Sequence, residues 1–369
     1  MKNVKKNRIL ALVMCLLLSA SLFTGCGQKD STKNVKETEV AEDMTITDMA
    51  GREVVIPGEI DSVFSTSPMG TNFMYVFDDS VVTGVNVELS EGEKKFMTEE
   101  FKELPVLGGW FGKGNEGNVE EIIKASPDIV LSTGTDEFSI KQAEELEEKL
   151  NVPVVLLDLD FNGIADSFRL VGEMLHNEER GNELADYCDK TVKEAEDMAE
   201  SIPDDKKVTV YYAEEQAGLN TDPSGSPHSR LIDLCGGINV ADVEMNPGYG
   251  RTEVSMEQII DWNPEYIISC VDNGFSDSGS YEAIKSEPQW SVVKAVQDGH
   301  VYQTPNLPFN WFDRPPSVNT MIGVKWTQHI LYPEYSDIDM EKETKEFYSL
   351  FYHYDLSDEE YETLMEKSL

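Results

Sequence analysis

The side chains best suited to gripping a charged or aromatic small molecule are few in this sequence, and they fall in loops. Beyond residue 25 the chain has six arginines: Arg52, Arg169, Arg180, Arg230, Arg251 and Arg314. Arg251 stands in Tyr249-Gly-Arg-Thr and Arg314 in Trp311-Phe-Asp-Arg-Pro, both between segments that read as regular structure. A planar guanidinium with five donors suits carboxylate, catecholate, hydroxamate or tetrahedral oxyanion groups. The plainer alternative is pairing with Glu253 and Asp313. Around Trp110 and Phe111, the run Gly108-Gly-Trp-Phe-Gly-Lys-Gly-Asn-Glu-Gly117 has five glycines in ten positions. Glycines let backbone approach a ligand, and aromatics on a polar loop call for a cover. Tyr249, Phe309 and Trp311 offer rings for the apolar body of a ligand, or for the core. His228, in Gly225-Ser-Pro-His-Ser, can start a helix or contact a metal, and a haem iron would look to Tyr249, Tyr212 or His228.

Catalysis has little to build on. Ser229, His228 and Asp233 contain the residue types of a hydrolase, but neighbours at one helix start do not converge, and there is no GxSxG elbow. No GxxxxGK[ST] phosphate loop occurs. Without a CxxC pair or a His-rich loop, a resident metal cage is not expected. Apart from Cys15 and Cys26, the chain has Cys188, Cys235 and Cys270, an odd number that reads as buried single thiols. The expectation is no catalytic residues and no cofactor.

The elements that must position these residues alternate. A hairpin is expected around Met49-Ala50. Short apolar runs at 62–66, 81–85, 128–132 and 152–158 read as strands, with helical periodicity at 71–77, 94–104, 118–125 and 140–150 between them. Such alternation argues βαβ units and parallel sheets. From 164 to 201 the pattern becomes nearly continuous helix, which reads as a spar. Alternation then resumes, with strands at 208–213, 266–271 and 300–304 and helices at 229–235, 255–262, 280–284 and 318–331. Asn118-Val-Glu-Glu-Ile-Ile-Lys-Ala-Ser-Pro127-Asp-Ile-Val-Leu-Ser132 is echoed by Ser255-Met-Glu-Gln-Ile-Ile-Asp-Trp-Asn-Pro264-Glu-Tyr-Ile-Ile-Ser269. Each is a cap, an acidic first turn, an apolar face, a proline stop and a buried strand. The fold class is therefore α/β: two Rossmann-like lobes, 45–162 and 204–369, joined by a long helical connection at 163–203.

The chain has 369 residues, with 30 Lys plus Arg against 70 Asp plus Glu, a formal net charge of −40. That excess excludes nucleic acid, whose phosphates demand clustered basic residues. Lys2, Lys5, Lys6 and Arg8 precede an apolar run from 9 to 18 that is too short to span a bilayer, and Leu22-Phe-Thr-Gly-Cys26 follows. Residues 1–25 read as a secretory signal, and polar 26–44 as a flexible tether.

Thr47-Asp-Met-Ala-Gly-Arg52, the two proline-bearing units, Leu234-Cys-Gly-Gly-Ile-Asn239, Gly299-His-Val-Tyr302, Arg314-Pro-Pro-Ser317 and Leu331-Tyr-Pro-Glu together resemble the class III substrate-binding proteins of ABC importers. These bind vitamin B12 and ferric siderophores. The stretches Phe309-Asn-Trp311, Arg314-Pro-Pro and Phe347-Tyr-Ser-Leu-Phe-Tyr352 resemble a branch with iron-complex binders and a molybdate/tungstate binder. The Cys26 region resembles a lipobox, which implies lipidation of Cys26 and an extracytoplasmic protein anchored to a bacterial membrane. The resemblance implies a ligand cleft between the lobes, capture without chemistry and delivery to a permease dimer driven by a cytoplasmic ATPase. In the family a glutamate on each lobe meets an arginine pocket on the permease, which points to Glu120 and Glu257, with Glu121 as a substitute. The implied ligand is an iron-siderophore or related metal chelate. A molybdate-type oxyanion is the alternative, as is a corrinoid or haem. Candidate ligand contacts are Trp110, Phe111, Tyr212, His228, Tyr249, Arg251, Trp311 and Arg314.

Overall fold

The computed structural model describes residues 42–112, 114–246, 250–271, 279–313 and 316–369. The signal, Cys26 and most of the tether lie outside the described residues, as do Tyr249 and Arg314. An opening hairpin pairs β1 (Met44–Thr47) antiparallel with β2 (Glu53–Ile56). The buried Asp48 carboxylate closes its turn by accepting from the amides of Ala50 and Arg52, and it holds the Arg52 guanidinium at 2.8 Å. Arg52 also donates to the Val154 carbonyl, so this arginine fastens the hairpin to the sheet behind it.

The first lobe follows with β3 (Val63–Ser65), α1 (Pro68–Asp78), α2 (Val119–Ala125), β4 (Ile129–Thr133), α3 (Glu137–Leu150) and β5 (Val154–Leu157). Its three strands are parallel in the order β3-β4-β5. They are buried on both faces, as the unbroken apolar runs require. Two expectations change here. Residues 81–85 make only isolated bridges, Val63 to Val82 and Val85 to Val106, because a 3₁₀ turn at Asp79–Val81 precedes them. The helix expected at 94–104 splits into single turns at Glu91–Lys94 and Glu99–Lys102, since Thr98 accepts a bond from the Phe101 amide and caps a new start.

The connection is a pair of helices, α4 (Ile164–Met174) and α5 (Glu178–Ser201), rather than one. His176 at φ +51° breaks them, and Asn177 caps the second. Gly172 and Gly181 face each other at the crossing: a Cβ on Gly181 would lie 2.7 Å from the Phe168 carbonyl and 3.0 Å from the Gly172 Cα.

The second lobe contains β6 (Thr209–Ala213), β7 (Asn220–Thr221), β8 (Ile238–Asn239), β9 (Thr252–Glu253), α6 (Met256–Trp262), β10 (Tyr266–Ser269) and β11 (Val301–Gln303). A parallel sheet runs in the order β11-β10-β6-β8, and β7 pairs antiparallel with β9. The echo between the two halves is structural as well as sequential. Both α2 and α6 start at a side-chain cap, Asn118 or Ser255. Both end on a left-handed residue, Ser126 or Asn263, before a proline and a central strand.

The chain closes with α7 (Thr320–Leu331), α8 (Met340–Tyr352) and α9 (Asp358–Met365). Tyr348 meets Phe96 edge-on at 5.4 Å, Asn72 donates to the Tyr352 hydroxyl at 3.2 Å, and Lys95 pairs with Glu360 at 2.7 Å. The expected second lobe thus lends its last two helices to the first. Cys188, Cys235 and Cys270 are all buried; burial pushes the thiols of Cys188 and Cys235 well above their ordinary value. No helix among the described residues is long and apolar enough to cross a membrane.

Candidate functional site

The carboxyl edge of the first sheet is built by small polar residues. Thr66 donates from its hydroxyl to that of Ser132 at 2.9 Å, tying the ends of β3 and β4. Ser67 accepts from the Gly70 amide and Pro68 opens α1, which aims that helix's N-terminus at the edge. Buried Asn86 holds the glycine-rich loop there. Its Nδ2 donates to the carbonyls of Ser65 and Gly108, each at 2.8 Å, and its Oδ1 accepts from the Thr71 hydroxyl at 2.7 Å. The Trp110 amide donates to the Thr66 carbonyl at 2.8 Å. Gly109 makes this approach possible, because a Cβ would lie 2.3 Å from that carbonyl oxygen.

Trp110 and Phe111, half-buried, border a cavity of about 720 Å³. The first lobe supplies most of its wall, including Met69, Tyr75, Met97 and Phe101, while His228, Phe309 and Pro316 close it from the second. Such a concave apolar space with a few polar groups is the usual form of a small-molecule site. Among the described lining residues the ionisable groups are Glu93, Tyr75 and His228, without a lysine or arginine. Burial pushes the Tyr75 phenol up to about 12, so it stays neutral.

A second cavity of about 400 Å³ adjoins the first, sharing Met69, Thr133, His228 and Pro316. It is acidic, with Asp136, Asp158, Asp160 and Asp313 around it. Arg230 on the second lobe reaches across to Asp160 on the first at 2.8 Å and lies over the Phe161 ring. On the second lobe Asp222, His228 and Asp313 bring ligand-type atoms within 4.8 Å of one another. His228 Nδ1 is 2.9 Å from Asp313 Oδ1, and Ser226 donates to Asp222 Oδ1 at 2.8 Å. Two carboxylates and an imidazole are the donors that a borderline cation accepts. Gly250, at φ +74°, packs on this group: a Cβ would lie 2.1 Å from Asp222 Oδ1.

The structure thus brings Trp110, Phe111 and His228 to one cavity and leaves other candidates elsewhere. Tyr212 is fully buried with its ring 4.6 Å from that of Phe312, and burial raises its phenol well above the ordinary value. Trp311 is also fully buried; its carbonyl faces Gly323 so closely that a Cβ there would sit 1.7 Å away. Both are corrections to the expected ligand contacts, because neither has surface to offer. Arg251 pairs through Nε with the buried carboxylate of Glu214 at 2.7 Å, not with exposed Glu253. Asn86, Met69, Tyr75 and Phe101 escape the sequence reading. The cap-and-proline pair Ser67-Pro68 marks their neighbourhood, but nothing local marks Asn86.

Residues 108–307, more than half of the chain, match the sequence profile of the periplasmic binding proteins. This chain belongs to that family. An ABC transporter solute-binding protein from Sulfurospirillum deleyianum superposes with a TM-score of 0.79 at 34% identity, over 87% of this chain and 99% of that one. The molybdate-binding protein MolA of Haemophilus influenzae is 25% identical over 337 residues, 84% of this chain and 91% of that protein. The Fe(3+)-citrate-binding protein YfmC of Bacillus subtilis is 22% identical over 298 residues, 80% of this chain and 89% of that protein. The chain is accordingly the extracytoplasmic substrate-binding protein of an ABC importer with the class III two-lobe fold. It works with a permease and an ATPase, and it is not an enzyme.

Proposed function

We propose that this binding protein captures a ferric siderophore or related metal chelate and hands it to its permease. The cavity of about 720 Å³ between the lobes carries this reading. Its aromatic and thioether wall suits the apolar body of a chelate, and no lysine or arginine lines it among the described residues. His228, which lines this cavity and is hydrogen-bonded to Asp313, would face the metal end of such a ligand. A corrinoid or haem is the alternative of similar apolar character. A bare oxyanion is the second reading, favoured by the likeness to MolA; backbone amides of the glycine-rich loop would then supply the donors. Against it, the adjoining cavity is acidic.

Lipidation of Cys26 would anchor the protein outside the membrane, and Glu120 and Glu257 would dock the permease. Both glutamates are exposed and lack an ion-pair partner among the described residues, whereas Glu121 is paired with Lys124 at 3.0 Å. That difference favours Glu120 over its neighbour.

Tryptophan fluorescence of the soluble form starting after Cys26, titrated with ferric siderophores, cobalamin, haem and molybdate, tests the ligand reading. Saturable quenching by a chelate is expected, with Trp110→Phe removing most of the signal and Phe111→Ala weakening affinity about tenfold. Saturation by molybdate alone would make the oxyanion reading primary.

A further inference from the structure

Burial in the duplicated units leaves one apolar side chain uncovered in each, at the same place. In α2 the buried residue is Ile122 and the exposed one Ile123, at 49% exposure. In α6 the buried residue is Ile259 and the exposed one Ile260, at 41%. Each exposed isoleucine lies three residues after Glu120 or Glu257, which puts carboxylate and isoleucine on one helix face. A single exposed isoleucine on a surface signifies nothing. Two at equivalent register, each beside an exposed carboxylate with no ion-pair partner among the described residues, form a repeated pair of contacts. On the first lobe Ile123 also borders a shallow recess of about 230 Å³ with Pro127, Leu150 and Val152.

We infer that Ile123 and Ile260 are apolar anchors of the permease interface, each inserted beside the ion pair made by Glu120 or Glu257. This rests on the docking reading of the two glutamates and adds what each permease subunit must offer. The surface repeats once, so its occupant repeats once: two like subunits, each with a cationic side chain and an apolar recess next to it. The two contacts have different tasks. Exposed carboxylates in so acidic a protein steer association and add salt dependence, while apolar anchors slow dissociation.

The test measures binding of the full-length protein to its own permease–ATPase complex in nanodiscs, at low and high salt. Ile123→Ser and Ile260→Ser should each raise the dissociation rate about fivefold, and the pair on the order of 20-fold, with an unchanged salt slope. Ile123→Val with Ile260→Val should restore most of the loss. Glu120→Gln with Glu257→Gln should instead slow association and flatten the salt dependence. Thermal melts and ligand titration of each variant should match the parent, because both side chains are exposed and neither lines the ligand cavity. Unchanged dissociation in the double serine variant overturns the anchor inference. If the glutamine variants still bind less tightly, the docking reading survives that result. If they too bind like the parent, the docking reading falls with it.

Discussion

At the scale of single residues, the site depends on one cavity-lining side chain whose amide holds the wall together. Asn86 satisfies two carbonyls and one hydroxyl at the junction of β3, α1 and the glycine-rich loop. Removing a buried amide leaves its partners unsatisfied, at about 1–3 kcal/mol. Asn86→Ala should therefore lower unfolding stability by about 2 kcal/mol in a urea titration. It should also weaken ligand binding, since Trp110 and Phe111 lose their placement; unaltered affinity would show that the loop is held by other means. The same scale shows what holds Arg251 in place. Its partner Glu214 follows directly on β6, 37 residues earlier, and is wholly buried. A buried carboxylate needs a cation, and the guanidinium supplies it through Nε.

Among the elements, the paired units of α2 with β4 and α6 with β10 are legible from the sequence, because caps, a left-handed stop and a proline are local devices. The connection is legible as helix but not as two helices. His176 has no sequence mark of a left-handed residue, and the break exists because α4 must turn back along α5. That crossing leaves no room for a side chain between Gly172 and Gly181. Gly181→Ala should destabilise the protein by about 1–3 kcal/mol, despite alanine's better helix propensity, because a methyl there must push the helices apart. A higher melting temperature for Gly181→Ala would show instead that the crossing can relax. The one-turn helices near Thr98 make a related point: periodicity over 94–104 suggests one helix, but a capping hydroxyl within it starts another.

For the whole molecule, the C-terminal helices strap the lobes together through Tyr348 on Phe96, Tyr352 with Asn72, and Glu360 with Lys95. The Lys95 ammonium and the Ser357 amide hold the Glu360 carboxyl at about 2, below its usual 4.5. A carboxyl depressed in the folded state contributes stability that is present above about 4.5 and lost as pH falls toward 2. Acid unfolding should therefore be shallower between those limits in Glu360→Gln, by a small amount given the pair's exposure; an identical acid limb would mean the strap does not depend on this pair. The sequence by itself determined the fold class, the duplication, the acidic composition and the glycine-rich loop that borders the cavity, because these follow from local periodicity, caps and composition. Only the tertiary structure decided which candidate side chains face the cavity. Tyr212, Trp311 and Phe111 are alike as aromatics near strand ends or in loops, and packing against distant segments alone makes two of them core and one a wall of the cavity.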